Sequence, residues 1–216
     1  MRRCVETATR ADVDVLTLYA FSANNWSRPP GEVSNLMRLF KRYLLSEVAR
    51  CVENGVRINV IGRRDRLKPD LVEIIEQAED VTRQGNRLTL RLAVDYSARE
   101  AIANAAHVAH DVCGEAGCAD APGSTAVQCF EEHIRTATHT VGDQNAVDLL
   151  IRTGGERRLS DFLLWECAYA ELHFVDAYWP DFDERAFQSA LDEFRRRDRR
   201  FGGLSGAAAE LATQSP

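Results

Sequence analysis

The stretch VLTLYAFSANNWSRPPGEVSNLMRLFKRYLLSEVARCVENGVRINVI (15–61) decides the fold class. VLTLYAF (15–21) is a compact apolar run of strand length, and the polar loop SANNWSRPPG follows it. From Glu32 the apolar positions are Val33, Leu36, Met37, Phe40, Leu44, Val48 and Cys51, in gaps of three and four that mark a long amphipathic helix. Asn54-Gly55 stops that helix in the manner of a C-cap. VRINVI (56–61) then alternates apolar and polar residues as a strand does.

The alternation continues on both sides. Upstream, residues 1–11 read as a short helix. Downstream, 69–84 is a helix entered at Pro69, LTLRLAV (88–94) a strand, 97–113 an alanine-rich helix, and GEAGCADAPG (114–123) a loop. Ser124 caps a helix to about Thr136. VDLLIR (147–152) is a strand, Ser160 caps a short helix through Cys167, and ELHFV (171–175) is the last strand. Asp183 caps a final helix with Phe187, Leu191 and Phe194 on its apolar face, ending in RRRDRRFGG. Strands alternating with helices predict an α/β fold with a mainly parallel sheet flanked by helices. One domain over 1–203 and a disordered tail over 204–216 complete the expectation.

Composition bounds the function. The 216 residues are 45% hydrophobic, enough for one sizeable core. The formal net charge of −6 argues against a nucleic-acid binder. No run reaches the ~20 apolar residues of a membrane span, and the basic start lacks the apolar core of a secretory signal, so a cytoplasmic location is expected. Of the 27 basic residues only Lys41 and Lys68 are lysines. Arginine's planar donor fork suits anions, and a GC-rich genome also favours it. The cysteines, Cys4, Cys51, Cys113, Cys118, Cys129 and Cys167, form no CxxC pair and read as small reduced hydrophobes.

Ligands of such sheets sit beyond the C-terminal ends of the strands, where two segments stand out. In IRTGGERRLSDF (151–162), Arg152 ends a strand and Gly154-Gly155 permit a sharp turn. Arg158, Leu159 and Ser160 follow. Two arginines, a hydroxyl and the expected helix N-terminus suit a diphosphate; a glycine turn with solvated arginines fits the local pattern equally well. In the second segment, Ser22, Asn24, Asn25, Trp26 and Arg28 crowd a strand-end loop, which by itself reads as a turn with Trp26 on the core. Glu171, opening the last strand, is a carboxylate that suits Mg²⁺ shared with diphosphate oxygens; a solvated or arginine-paired carboxylate is the commoner role of a lone Glu.

Taken in order, LTLYAFS, NWSRP, EVSNLMRLF, DLLIRTGGERRLSDFLLW, AYAEL and WPDFDE resemble the cis-prenyltransferase family over nearly the whole chain. The resemblance implies a homodimer with a hydrophobic tunnel, condensing isopentenyl diphosphate with an allylic diphosphate, typically farnesyl diphosphate. The product would be a cis-polyprenyl diphosphate of undecaprenyl type that associates with membrane. It implies Arg152, Arg158, Leu159 and Ser160 around the isopentenyl diphosphate, Glu171 on Mg²⁺, and Ser22, Asn24, Trp26 and Arg28 in a substrate loop. Asn25 would assist proton removal; because a neutral amide is a poor base, it is expected to orient the substrate or relay to a released diphosphate. Small Ala20 points toward a long product.

The family's Asp-Gly-Asn-Gly-Arg-Trp loop and the strand before it have no counterpart in this sequence, so a sheet lacking its first strand is expected. The alternative is a non-catalytic partner subunit. Asn24 replaces the usual Glu, and DYSAR (95–99) replaces the commoner Asn-Tyr-Gly-Gly-Arg.

Overall fold

The computed structural model describes residues 2–113, 126–143 and 146–197. In chain order the elements are α1 (Arg2–Arg10), β1 (Val15–Ser22), α2 (Pro30–Glu53), β2 (Val56–Ile61), α3 (Pro69–Thr82), β3 (Leu88–Tyr96), α4 (Ala98–Cys113), α5 (Ala126–Ala137), β4 (Leu149–Thr153), β5 (Glu171–Val175) and α6 (Glu184–Arg196). Short 3-10 turns cover Ala23–Ser27 and Trp179–Asp181. The strands form two parallel sheets, one ordered β1-β3-β2 and the other β4-β5.

β3 is the central strand and reads as one: Leu88, Leu90, Leu92, Ala93 and Val94 are all buried, as expected where helices cover both faces. The α2 stripe behaves as its spacing predicts. Val33, Leu44 and Cys51 are buried, with Leu36, Met37, Phe40 and Val48 packed beside them. The same core takes in Leu149, Ile151 and Val175, so both sheets contribute to it. The helix enters at Pro30 and closes on Gly55 at φ 66°, the left-handed cap that glycine adopts without a Cβ penalty. One polar residue joins the inward face: Glu47 is nearly buried and ion-paired to Arg2 of α1.

The β1–β3 register slips twice near its end. Tyr19 pairs with Ala93 and Phe21 with Val94, so Ala20 is an extra residue on β1; Ser22 then pairs with Tyr96, so Asp95 is an extra residue on β3. Bulges of this kind bend a strand and re-aim its side chains. Here they lie where β1 and β3 leave the sheet.

One expected element is absent. The segment Ser160–Cys167 is a series of turns rather than a helix. Ser160, Asp161 and Leu163 have φ of 52°, 62° and 48°, incompatible with a right-handed helix. Tertiary contacts hold them there. Asp161 accepts hydrogen bonds from the Ser97 hydroxyl and the Arg99 N–H (2.9 Å), and its carbonyl accepts the Ala98 N–H at 3.1 Å. Phe162 stacks on Tyr19 with centroids 4.4 Å apart. The last helix forms as read, with Asp183 accepting the Ala186 N–H at 2.9 Å.

Cys4, Cys51 and Cys167 are buried. Burial pushes the Cys51 thiol up to about 11 and that of Cys167 up to about 12, which keeps both protonated and inert. Ser124, Cys118, the 114–123 loop and the 204–216 tail lie outside the described residues. Among those described, no helix is long and apolar enough to cross a membrane.

Candidate active site

β1 delivers the first loop. Past Ser22 the chain makes a single 3-10 turn, stitched by its own polar side chains. The Ser22 N–H donates to Asn25 Oδ1 at 2.9 Å, the Ser27 hydroxyl to the Asn24 carbonyl at 2.8 Å, and the Arg28 N–H to the Asn25 carbonyl at 3.1 Å. Arg28 reaches forward to Glu32 at 2.7 Å. Trp26 is half-buried edge-on to Phe21, and its indole N–H donates to Asp95 at 2.8 Å. With Asn25 Oδ1 engaged, the amide presents its NH₂, a donor. Asn25 is therefore suited to orienting an oxyanion and not to removing a proton.

β4 delivers the second loop. Gly154 and Gly155, at φ 87° and 72°, turn the chain directly after Arg152 and Thr153. The Arg152 guanidinium folds back over the loop, donating to Ser160 Oγ at 2.7 Å and to the Arg158 carbonyl. Its donation leaves the Ser160 hydroxyl proton available to an anion. Arg158 is exposed and paired with Glu156, Ser160 is exposed, and Leu159 packs into a second apolar cluster. A cradle of the Arg152 guanidinium, one hydroxyl and the exposed Arg158 guanidinium suits a diphosphate. The helix N-terminus expected beside it does not exist, so backbone dipoles of a helix contribute nothing there.

Tyr19 joins the two loops. It stands three residues before Ser22, and its hydroxyl donates to the Tyr96 carbonyl at 3.2 Å, with the Ser160 carbonyl 3.5 Å away. Tyr19, Tyr96 and Phe162 form a ring cluster, Tyr96 standing edge-on to both others. Burial pushes the Tyr19 phenol up to about 12, so it remains a donor. The sequence reading missed Tyr19, Tyr96, Asp95 and Asp161. The available signal was DYS at the end of a strand, whose chemistry depends on residues far away in the chain.

Glu171 is not brought to this site within one chain. It opens β5 opposite Leu149, three residues before Arg152, so roughly 10 Å of strand separates it from the β4 loop. Its Oε2 accepts from Arg197 at 2.8 Å, and Arg197 also pairs with Glu193. Among the described residues no three carboxylate, histidine or cysteine side chains converge as a metal site. The described residues of one chain therefore do not assemble the Mg²⁺ site that the resemblance implies.

Comparison with known proteins agrees with this architecture. Residues 1–202 match the prenyltransferase family model described as undecaprenyl diphosphate synthase. Isoprenyl transferase 1 of Bradyrhizobium diazoefficiens is 49% identical over 210 residues, covering 97% of this chain and 80% of that protein. The ditrans,polycis-undecaprenyl-diphosphate synthase ((2E,6E)-farnesyl-diphosphate specific) of Pseudomonas aeruginosa is 43% identical, covering 95% and 79%. Among solved structures, lavandulyl diphosphate synthase from Lavandula x intermedia, in complex with dimethylallyl diphosphate, superposes with a TM-score of 0.84 at 32% identity over 93% of this chain and 84% of that one. A "probable undecaprenyl diphosphate synthase" from Campylobacter jejuni gives 0.77 at 32% identity over 94% and 89%. The similarity runs along almost the entire chain, and the chain belongs to the undecaprenyl diphosphate synthase family, a family of prenyl-transferring enzymes.

Proposed function

We propose that this protein condenses isopentenyl diphosphate with an allylic diphosphate, farnesyl diphosphate foremost, to give a cis-polyprenyl diphosphate of the undecaprenyl class. The observation that carries the reading is the Arg152–Ser160 cradle at the end of β4, beside exposed Arg158. It supplies charge-assisted donors to a diphosphate in a loop whose glycine turn is already set.

In the reaction, the allylic C–O bond breaks and its electron pair leaves with diphosphate. The allylic carbon bonds to the terminal carbon of isopentenyl diphosphate, and a proton is lost from the latter. The released diphosphate is the stronger base at hand; Asn25, through its NH₂, holds and orients it. The half-buried rings of Tyr19 and Phe162, backed by buried Tyr96, give the rim apolar surface beside the donors, which suits a substrate with a charged head and a hydrocarbon tail.

Mg²⁺ belongs to this reading as a requirement to be measured, with Glu171 its candidate carboxylate. So does a cytoplasmic homodimer with a product that partitions to membrane. Tyr169, Leu172, Tyr178 and Trp179 are exposed on and around β5, an apolar surface that a second copy would cover. The names of the relatives differ in substrate and product, so chain length is decided by assay. The protein is incubated with farnesyl diphosphate, labelled isopentenyl diphosphate and Mg²⁺, and the label is sized chromatographically. Long polyprenyl product supports the reading. Binding of isopentenyl diphosphate without transfer would instead mark a non-catalytic partner subunit, and absence of both would remove the proposal.

A further inference from the structure

We propose that Asp95 and Arg66 are a positioning pair that sets the orientation of Trp26 and, through it, of the turn carrying Ser22, Asn24, Asn25 and Arg28; this deepens the functional reading above and rests on it.

Asp95 is fully buried, with 0% exposure. It is the extra residue of the β3 bulge and holds a φ of 50°, a conformation uncommon for a residue with a Cβ. The bulge delivers its carboxylate to three donors. Oδ1 accepts the Trp26 indole N–H at 2.8 Å and one Arg66 nitrogen; Oδ2 accepts Arg66 Nε at 2.8 Å. The Arg66 guanidinium also lies 5.9 Å from the centroid of the Trp26 ring, within cation–π range. The indole is thereby held at its edge by a carboxylate and at its face by the cation paired to that carboxylate.

Arg66 is itself held in place. Its loop begins at Gly62, whose N–H donates to the Thr138 carbonyl at 2.9 Å, and the Arg63 N–H donates to the Asp95 carbonyl at 3.2 Å. Arg63 bonds Glu100 at 3.1 Å, and Arg66 lies 3.9 Å from the same carboxylate. The loop after β2 is fastened to the end of β3, and Asp95 transmits that fixed position to the loop after β1.

The pair works only as a pair. An amide at position 95 has one acceptor oxygen where the carboxylate has two, and its NH₂ would oppose the Arg66 donors. Truncating one partner of a buried ion pair leaves the other uncompensated. The neutral variant D95N, alone, is therefore expected to release the indole.

The experiment compares the wild-type chain, D95N, R66M and the double variant D95N/R66M. The Trp26 indole ¹H–¹⁵N resonance is assigned with W26F, and kcat and KM are measured for each diphosphate where circular dichroism shows every variant folded. In D95N the Trp26 resonance should move and kcat/KM should fall by about 10- to 100-fold, the scale of a displaced positioning group. The double variant, with no opposing donor, should recover most of the loss. R66M, altered at a residue whose side chain is 34% exposed, keeps the test alive if D95N fails to fold.

Kinetics within about twofold of wild type in D95N and R66M, with the resonance displaced, would overturn the proposal, because a merely structural pair lowers stability without changing kcat/KM. An unmoved resonance would overturn it too. If wild type shows no transfer, calorimetric affinities for isopentenyl and farnesyl diphosphate replace KM, with the same fold-changes expected. Wild type that neither transfers nor binds sinks the functional reading and this proposal together. Active wild type with indifferent variants sinks this proposal alone.

Discussion

At the scale of single residues, the site consists of ordinary groups made effective by what they touch. Arg152 suits a diphosphate because Ser160 Oγ and the Arg158 carbonyl fix one edge of its guanidinium. A charge-assisted hydrogen bond contributes about 1.5–3 kcal/mol. Arg152→Ala is therefore expected to weaken isopentenyl diphosphate binding about 10- to 100-fold, and Ser160→Ala, which removes a neutral donor, about tenfold or less. Isothermal titration checks both; equal small effects would show that the cradle does not hold the diphosphate.

A second residue lies below the rim. Glu166 is buried, its Oε2 has no partner, and burial raises its carboxyl above the ordinary range despite the attraction of Arg91. Arg91, buried as well, is shifted down by the same loss of solvent. A carboxyl raised in the folded state binds its proton more tightly there than in the unfolded chain. Folding is thus favoured at low pH, and stability is lost as pH rises from the unfolded value of about 4.3 through the raised folded value. Glu166→Gln removes that dependence. Its melting temperature relative to wild type should rise between pH 4.5 and 8; a difference that falls with pH would mean that an ionised Glu166–Arg91 pair wins instead.

At the scale of elements, α2 and β2 were legible because one helix stripe and one alternating strand carry their own periodicity. The segment after Ser160 was not. It has a cap residue and an apolar run, yet Asp161 serves Ser97 and Arg99, more than sixty residues upstream, and Phe162 stacks on Tyr19 and meets Tyr96 edge-on. Those contacts outweigh a local preference worth a fraction of a kcal/mol per residue. The loop after β2 depends likewise on one glycine. Gly62 has φ 118°, and a Cβ there would stand 2.1 Å from the Val94 carbonyl oxygen. Gly62→Ala is expected to cost at least about 2 kcal/mol from backbone strain alone and to loosen Arg63 and Arg66. Urea unfolding measures the cost, and a midpoint unchanged from wild type would contradict the close approach.

At the scale of the whole molecule, two parallel sheets with a shared core carry both candidate loops, and Tyr19 ties one to the other. Glu171 sits apart from them, paired with Arg197, so the described residues of one chain do not bring it to the two loops. Exposed Tyr169, Leu172, Tyr178 and Trp179 give a second copy an apolar surface to cover. Sedimentation equilibrium at micromolar concentration should return twice the chain mass, and Tyr178→Asp with Leu172→Asp should return one. A wild-type monomer would remove the homodimer from the proposed function.

The candidate rim residues came from the family resemblance; by its own local pattern the sequence determined the alternation of strands and helices, the long α2 stripe and the glycine turn after Arg152. Each of these last three is a local property, set by periodicity or by the conformational freedom of a few neighbours. Only the tertiary structure decided that Asp95 bulges into the Trp26 indole, that Asp161 holds the β4 loop out of a helix, and that Glu171 stands at the far end of its strand. These depend on pairings between residues distant along the chain. In a buried, low-dielectric setting, such pairings determine which side chains are satisfied and where they must lie.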